Sequence, residues 1–185
     1  RAWRHFARAS GAGYAAQSGA LDTAGAQQFQ ESAAAVVGPV VTTRWNQGNP
    51  YNTYAPAAAG CTRTWAGCVP VAGAQIMRYW SWPGTGVGSH SYVWNGQTLS
   101  ADFSHPYAWG DMPGTISASS PGAQIDAVAG LLRDVGYAIE TNYGCGGSSA
   151  SPYDFQTVFP LYFKYKPNIQ ILSRSSFTVD QFFSI

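Results

Sequence analysis

One cysteine stands where a helix is expected to begin, a position that suits a nucleophile. Cys68 precedes Pro70, which fits the first turn of a helix because its missing N–H has no partner there. The positive end of the helix macrodipole favours a thiolate, and the free backbone N–H groups can bind an oxyanion. Gly67 would let a substrate approach the main chain closely. Cys68 is therefore a candidate nucleophile, with plain packing of a buried thiol as the alternative.

Two core helices are expected to position this residue. The first begins at Cys68 and ends before Pro83, and its predicted core face comprises Ala72, Ile76, Tyr79 and Trp80. The second has Ser120 as its N-cap, Pro121 in its first turn and Gly136 just after its end. Its apolar stripe comprises Ile125, Val128, Ala129, Leu132 and Val135.

The other segments give weaker signals. Residues 1–32 are expected to form a peripheral extension with two short helical pieces, and residues 84–118 are expected to alternate loops with short strands. A helix is predicted to open at Ser151 and to break near Pro160, and a strand follows over residues 168–173. Ser176 and Thr178 both offer N-caps for a last helix, which is expected to be cut short by the end of the chain.

The amino-acid composition argues against several classes of protein. The chain has 185 residues, a net charge of +1 and only 10% charged residues, against about 25% in an ordinary globular chain. No basic excess is present to neutralise nucleic-acid phosphates. The longest nearly apolar run, residues 33–41, is about half of the roughly 20 residues that a membrane span needs. The 27 aromatic residues, from 7 Trp, 11 Tyr and 9 Phe, argue against disorder.

Three cysteines cannot all pair within one chain. Cys61 and Cys145 either form a disulfide, which would leave Cys68 free, or stay reduced and buried. The sequence does not decide between these two states.

Four motifs in order carry a family resemblance. Gly67-Cys68-Val69 is followed by the run AQIMRY at 74–79 and by Pro83, and the segment WNQGNPYN lies upstream at 45–52. The third motif comprises an aromatic stretch and the end of the second helix, and the fourth is a Gly/Ser loop. Their residues are Tyr107, Trp109, Met112, Pro113, Leu132, Asp134, Val135, Gly136, Asn142, Tyr143 and Gly144. Together they resemble the streptopain family of papain-like cysteine peptidases.

The resemblance implies roles for particular residues. Cys68 would attack the scissile carbonyl, and the Gln47 side-chain amide would join the Cys68 N–H in an oxyanion hole. Gly67, Gly147 and Ser149 would contact the peptide substrate, with an apolar residue preferred at the second position before the cut. No cofactor and no metal are implied.

The resemblance also implies that a catalytic histidine lies outside this chain. His5, His90 and His105 match no family position, whereas the family places its histidine in a downstream Gly-Gly-His setting. We therefore expect an α+β, papain-like fold in which residues 33–185 supply the helical half. An antiparallel sheet after residue 185 would complete it, from a second chain or a further segment of the same polypeptide.

The resemblance predicts a secreted bacterial cysteine endopeptidase made as a zymogen, with residues 1–32 as an extension or the tail of a propeptide. Two other functions fit the same residues. An inactive papain-like module could bind proteins or glycans, and a cell-wall amidase or transpeptidase could use the same nucleophile.

Overall fold

The computed structural model describes residues 41–179 and 181, and the main elements in that part are three α-helices and one β-hairpin. In chain order the regular elements within that part are α1 (Cys68–Trp80), β1 (Ser89–Trp94), β2 (Gln97–Asp102), α2 (Gly122–Ala138) and α3 (Phe155–Phe163). Residues 41–171 form one compact unit, and residues 172–179 and 181 belong to a second. No helix in the described part is long and apolar enough to cross a membrane.

Helix α1 begins at Cys68 as predicted, but it buries a different face. Its core residues are Pro70, Val71, Gly73, Ala74 and Met77. Ile76 and Tyr79 are 43% and 46% exposed, so the predicted core face of Ala72, Ile76, Tyr79 and Trp80 is wrong. A Cβ added at Gly73 would lie 2.6 Å from the Phe155 ring of α3 and 3.3 Å from Val135 of α2. The helices approach so closely that small side chains are needed on the inner face, and the large ones remain outside.

Helix α2 forms the centre of the core and packs against α1, β1 and β2. Val128, Leu131, Leu132 and Val135 are each at most 1% exposed. The helix continues to Ala138, so the prediction that Gly136 follows its end is wrong. Pro121 is its N-cap, and the Ser120 hydroxyl accepts the Ser117 N–H at 2.9 Å within the preceding turn, so Ser120 is not the cap.

Strands β1 and β2 form an antiparallel hairpin with Trp94 opposite Gln97. Asn95 and Gly96 make the turn with φ values of 47° and 74°, which suit a two-residue hairpin loop. The prediction of short strands in this region is confirmed. Trp94 donates its indole N–H to the Tyr143 carbonyl at 3.1 Å, which ties the hairpin to the Gly/Ser loop after α2.

A 3-10 turn, Pro152–Asp154, leads into helix α3. Ser151 caps this turn, because its hydroxyl accepts the Tyr153 N–H at 3.3 Å. Pro160 lies inside α3 without interrupting it, so the predicted break is wrong. Proline removes one backbone donor. Burial of Phe155, Val158, Phe159 and Phe163 holds the helix together across that position.

Residues 168–173 do not form the predicted strand. A strand needs a neighbour for its backbone groups, and within the described part of the chain this segment has no ladder partner. The Ile169 carbonyl instead accepts the Gln156 side-chain amide at 3.1 Å. The helices predicted in residues 1–32, and most of the one predicted after Thr178, lie outside the described residues.

Candidate active site

Cys68 is the first residue of α1, and its thiol is exposed and free. Gly67 precedes it with φ 96° and ψ 140°, a backbone conformation that is strained for any residue other than glycine. Within residues 41–179 and 181 no side chain caps the helix. The first intrahelical bond runs from the Val71 N–H to the Gly67 carbonyl at 3.1 Å, so the N–H groups of Cys68 and Val69 are available to a ligand.

Gln47 lies beside the residues that lead into α1. Its carbonyl accepts the Ala66 N–H at 2.9 Å, which places its main chain next to the segment before Cys68. The Asn46 carboxamide oxygen accepts the Gln47 N–H at 2.6 Å and the Gly48 N–H at 3.4 Å, and so shapes the turn. The structure therefore brings the Gln47 and Cys68 segments together.

The segment before Gln47 is also anchored on α1. The carboxamide oxygen of Gln75 accepts the Thr43 hydroxyl at 2.9 Å and the Trp45 N–H at 3.3 Å. Trp45 is buried and donates its indole N–H to the Pro113 carbonyl at 2.9 Å. The same helix that presents Cys68 thus fixes the start of the Gln47 segment.

The Gly/Ser loop closes beside Gly67. Asn142 and Ser149 exchange backbone hydrogen bonds of 2.9 and 3.0 Å, so both main-chain groups of Ser149 are paired and its side chain is exposed. Gly147 is exposed at φ 149°. A Cβ added at Gly67 would lie 3.4 Å from the Ser148 Cβ, which shows how near the loop comes. Substrate contacts by Gly67, Gly147 and Ser149 stay predictions.

Sequence reasoning missed two residues that join this loop to the site. Ser148 donates its hydroxyl to the Trp65 carbonyl at 2.6 Å and accepts the Gly144 N–H at 3.1 Å. Trp65 donates its indole N–H to the Cys145 carbonyl at 2.8 Å. Serine in a glycine-rich loop often bonds to main chain, but a partner 83 residues away leaves no local signal.

Cys61 and Cys145 form a disulfide, which decides between the two states that the sequence left open. The bond joins a turn before α1 to the Gly/Ser loop, across 84 residues of sequence. Cys68 is then the free thiol among the three.

The two described histidines are engaged away from Cys68. His105 Nε2 lies 2.8 Å from Asp134, and its Nδ1 lies 3.2 Å from the Pro106 carbonyl. The hydrogen bond that the His105 ring donates to buried Asp134 raises the pKa of His105. His90 lies 3.0 Å from Glu140 and 3.2 Å from the Tyr162 hydroxyl. Among the described residues no side chain forms a hydrogen bond with the Cys68 thiol, and His5 lies outside them.

Three kinds of group around the start of α1 can take part in chemistry: the Cys68 thiol, the Gln47 side-chain amide and the free backbone N–H groups of Cys68 and Val69. The thiol can supply a nucleophile, and the amide and the N–H groups can donate hydrogen bonds to an anion. The described residues contain no group of three or more His, Cys, Asp or Glu side chains arranged to hold a metal ion.

A free thiol at the start of a core helix, a glutamine loop paired to the residues before it and a small antiparallel hairpin define the helical part of a papain-like cysteine peptidase fold. The chain belongs to the peptidase C10 family, whose model matches residues 45–185. The resemblance found in the sequence motifs is confirmed.

Among solved structures, active interpain A cysteine protease from Prevotella intermedia is 32% identical with a TM-score of 0.73, over 80% of this chain and 63% of that one. A fragment of prointerpain A is 34% identical with a TM-score of 0.64, over 69% of this chain and 43% of the fragment.

Two curated relatives are also similar. Streptopain of Streptococcus pyogenes is 29% identical over 157 residues, which are 72% of this chain and 38% of that protein. The thiol protease/hemagglutinin PrtT of Porphyromonas gingivalis is 29% identical over 136 residues, which are 71% of this chain and 16% of that protein. The chain thus spans less than two fifths of the length of either.

Proposed function

We propose that this chain is the nucleophile-bearing part of a secreted bacterial cysteine endopeptidase. The observation that carries the proposal is the exposed, unpaired thiol of Cys68 on the first residue of α1, in a chain of the peptidase C10 family. The substrate would be a peptide or protein, which is what the protease names of the relatives suggest.

In the proposed reaction the Cys68 sulfur attacks the carbonyl carbon of the scissile peptide bond. The carbonyl oxygen becomes an oxyanion, which the Cys68 N–H and the Gln47 side-chain amide would stabilise. An amide suits this task because it donates N–H bonds while staying neutral, whereas a carboxylate cannot donate. The C–N bond then breaks, the amine leaves with a proton, and water hydrolyses the thioester to restore the thiol.

The proton for the departing amine would come from a histidine outside this chain. Both ring nitrogens of His90 and of His105 already have protein partners, which supports this assignment. The histidine would belong to a second chain or to a further segment of the same polypeptide. The sheet expected to carry it would complete the fold.

Secretion is supported by the disulfide between Cys61 and Cys145, because such bonds persist in oxidising compartments and are rare in the cytosol. A zymogen form is supported by the related prointerpain A fragment. In such a form residues 1–32 would be the tail of a propeptide, ahead of the peptidase region at 33–185.

The test is selective alkylation of the complete polypeptide with iodoacetamide, followed by peptide mapping and a casein digest. We expect rapid modification of Cys68 and parallel loss of proteolysis, and no proteolysis from Cys68→Ala. Ser119→Ala is a suitable control, because Ser119 is exposed and its hydroxyl bonds to Ser117 in the same turn. Slow modification of Cys68 and no proteolysis would favour a binding module. Rapid modification with cleavage of cell-wall amides alone would favour the amidase or transpeptidase.

A further inference from the structure

Trp65 is fixed to a distant loop, three residues before the candidate nucleophile. Its indole N–H donates to the Cys145 carbonyl at 2.8 Å, and its main-chain N–H donates to the Gly144 carbonyl at 3.2 Å. Its own carbonyl accepts the Ser148 hydroxyl at 2.6 Å. Three hydrogen bonds therefore join one residue to a loop that lies 80 residues further along the chain.

The Trp65 ring also lies on the segment that carries Gln47. A Cβ added at Gly48 would be only 3.0 Å from a ring carbon of Trp65. The next residue, Ala66, donates its N–H to the Gln47 carbonyl at 2.9 Å. Trp65 and Ala66 thus connect the Gln47 segment on one side with the Gly/Ser loop on the other, and Gly67 and Cys68 follow them directly.

The loop itself is fastened covalently. Cys145 is bonded to Cys61, whose main chain exchanges hydrogen bonds of 3.1 and 3.2 Å with Ala58. Shortly after this turn, the fully buried Thr64 donates both its N–H and its hydroxyl to the Pro56 carbonyl, at 3.0 and 2.9 Å. The disulfide therefore joins the loop to a stretch that is anchored to the core immediately before Trp65.

We propose that the Cys61–Cys145 disulfide and the Ser148 hydroxyl form a clamp that positions residues 65–67, and through them the Cys68 thiol and the Gln47 amide. Ser148 and the two half-cystines are positioning residues, since none of them would touch the reacting atoms. The clamp's effect on catalysis rests on the proposed function, whereas its effect on the backbone at residues 65–67 does not.

The clamp would affect catalysis because the Cys68 sulfur and the Gln47 side-chain amide must both reach the same scissile carbonyl group. The Cys68 sulfur and the Gln47 amide reach the site from separate segments, and Trp65 with Ala66 is where those segments touch. A displacement of about 1 Å in such a pair can lower a rate by about 10²-fold. Loosening the clamp would therefore lower kcat more than it raises KM.

The experiment compares the parent polypeptide with Ser148→Ala, Ser148→Thr and the double variant Cys61→Ser/Cys145→Ser. Hydrogen exchange is measured at the N–H groups of Trp65 and Ala66, with those of Leu131 and Leu132 in α2 as an internal reference for global opening. The rate of Cys68 alkylation by iodoacetamide across pH, and kcat and KM for a peptide substrate, are measured in parallel.

We expect exchange at Trp65 and Ala66 to quicken by about tenfold in Ser148→Ala, while α2 is unchanged. In the double variant, which also loses global stability, exchange at Trp65 and Ala66 should quicken by about tenfold more than exchange in α2. The alkylation profile of Cys68 shifts, and kcat falls by about 10- to 100-fold with little change in KM. Ser148→Thr retains the hydroxyl, so its hydrogen exchange, its Cys68 alkylation profile and its kcat should be close to those of the parent. Ser119→Ala, the exposed serine control, changes none of them.

Unchanged exchange at Trp65 and Ala66 would overturn the clamp. Quickened exchange with unaltered alkylation of Cys68 and unaltered kcat would overturn its positioning role. If the parent cleaves no peptide, the proposed function fails separately, and exchange and alkylation still decide whether the clamp holds residues 65–67 and positions the thiol.

Discussion

At the scale of single residues, Gln47 has its side-chain amide left to donate to an oxyanion, because its main-chain N–H already donates to the Asn46 side chain. We predict that Gln47→Ala lowers kcat by about 10²–10³-fold with a small change in KM, the usual cost of losing one oxyanion donor. Gln47→Glu should be at least as slow, because a carboxylate accepts hydrogen bonds and repels the oxyanion.

The matched control is Gln97→Ala, which removes an exposed amide from β2. Steady-state kinetics on a peptide substrate check the prediction. A Gln47→Ala enzyme with the kcat of the parent would remove Gln47 from the oxyanion hole, while leaving the assignment of Cys68 untouched.

His105 couples stability to pH through Asp134, which is fully buried and also bonded by Arg133 and Tyr107. The hydrogen bond that His105 donates to Asp134 raises the folded-state pKa of His105 above the usual 6.5. The protonated ring therefore stabilises the fold fully below about pH 6.5, and this contribution is lost as pH rises through the raised pKa. Because His105 is 40% exposed, we expect a contribution of about 1 kcal/mol or less.

Urea unfolding at several pH values measures this effect. The free energy of unfolding of the parent should fall relative to that of His105→Gln as the pH rises from about 6 to 9. A constant difference between the two proteins over that range would show that His105 does not titrate with folding.

At the scale of elements, the sequence located the helices better than it oriented them. Pro70 and Pro83 bracket α1, and such signals act locally, so the helix at Cys68 could be predicted. Whether α1 buries the face that carries Ile76 or the face that carries Met77 depends on how closely α1 approaches its neighbours in the core. No local sequence pattern encodes that distance. The end of α2 was predicted wrongly for a related reason. A glycine that permits close packing inside a helix gives the same sequence signal as a glycine that follows the end of a helix.

Gly136 and Gly130 offer a comparison within one helix. The Tyr143 hydroxyl lies where a Cβ on Gly136 would go, whereas nothing lies within 4 Å of a Cβ on Gly130. Gly130→Ala should therefore stabilise the protein by up to about 1 kcal/mol through helix propensity. Gly136→Ala should destabilise it by about 1–3 kcal/mol, because buried Tyr143 must move.

Thermal unfolding of the two variants tests this contrast. Adding Tyr143→Phe to Gly136→Ala removes the obstructing hydroxyl and should recover part of the loss. If both alanine variants raise Tm equally, Gly136 has no packing role and the tyrosine is more mobile than its burial indicates.

At the scale of the molecule, the motifs that carried the resemblance also hold the core together. The Tyr107 hydroxyl donates to Asp134 at 3.1 Å, the Trp109 indole donates to the Pro83 carbonyl at 2.8 Å, and Arg78 donates to the Met112 carbonyl at 2.6 Å. Family motifs could therefore predict the fold and the Cys68 and Gln47 segments together. The Ser148–Trp65 contact could not be predicted, and the sequence left the Cys61–Cys145 disulfide as one of two states, because each joins residues that are more than 80 positions apart.

The disulfide makes a prediction about the whole fold that is separate from catalysis. It closes a segment of 84 residues, and the chain-entropy model gives about 4–5 kcal/mol for a loop of that length. Measured values are often lower, so Cys61→Ser/Cys145→Ser should lose about 2–5 kcal/mol of the free energy of unfolding in urea. Cys68→Ser removes an exposed thiol and should unfold like the parent, which separates the loss of the bond from the loss of sulfur. Equal stability of the double variant and the parent would mean that hydrogen bonds such as those of Trp65 hold the loop without the bond.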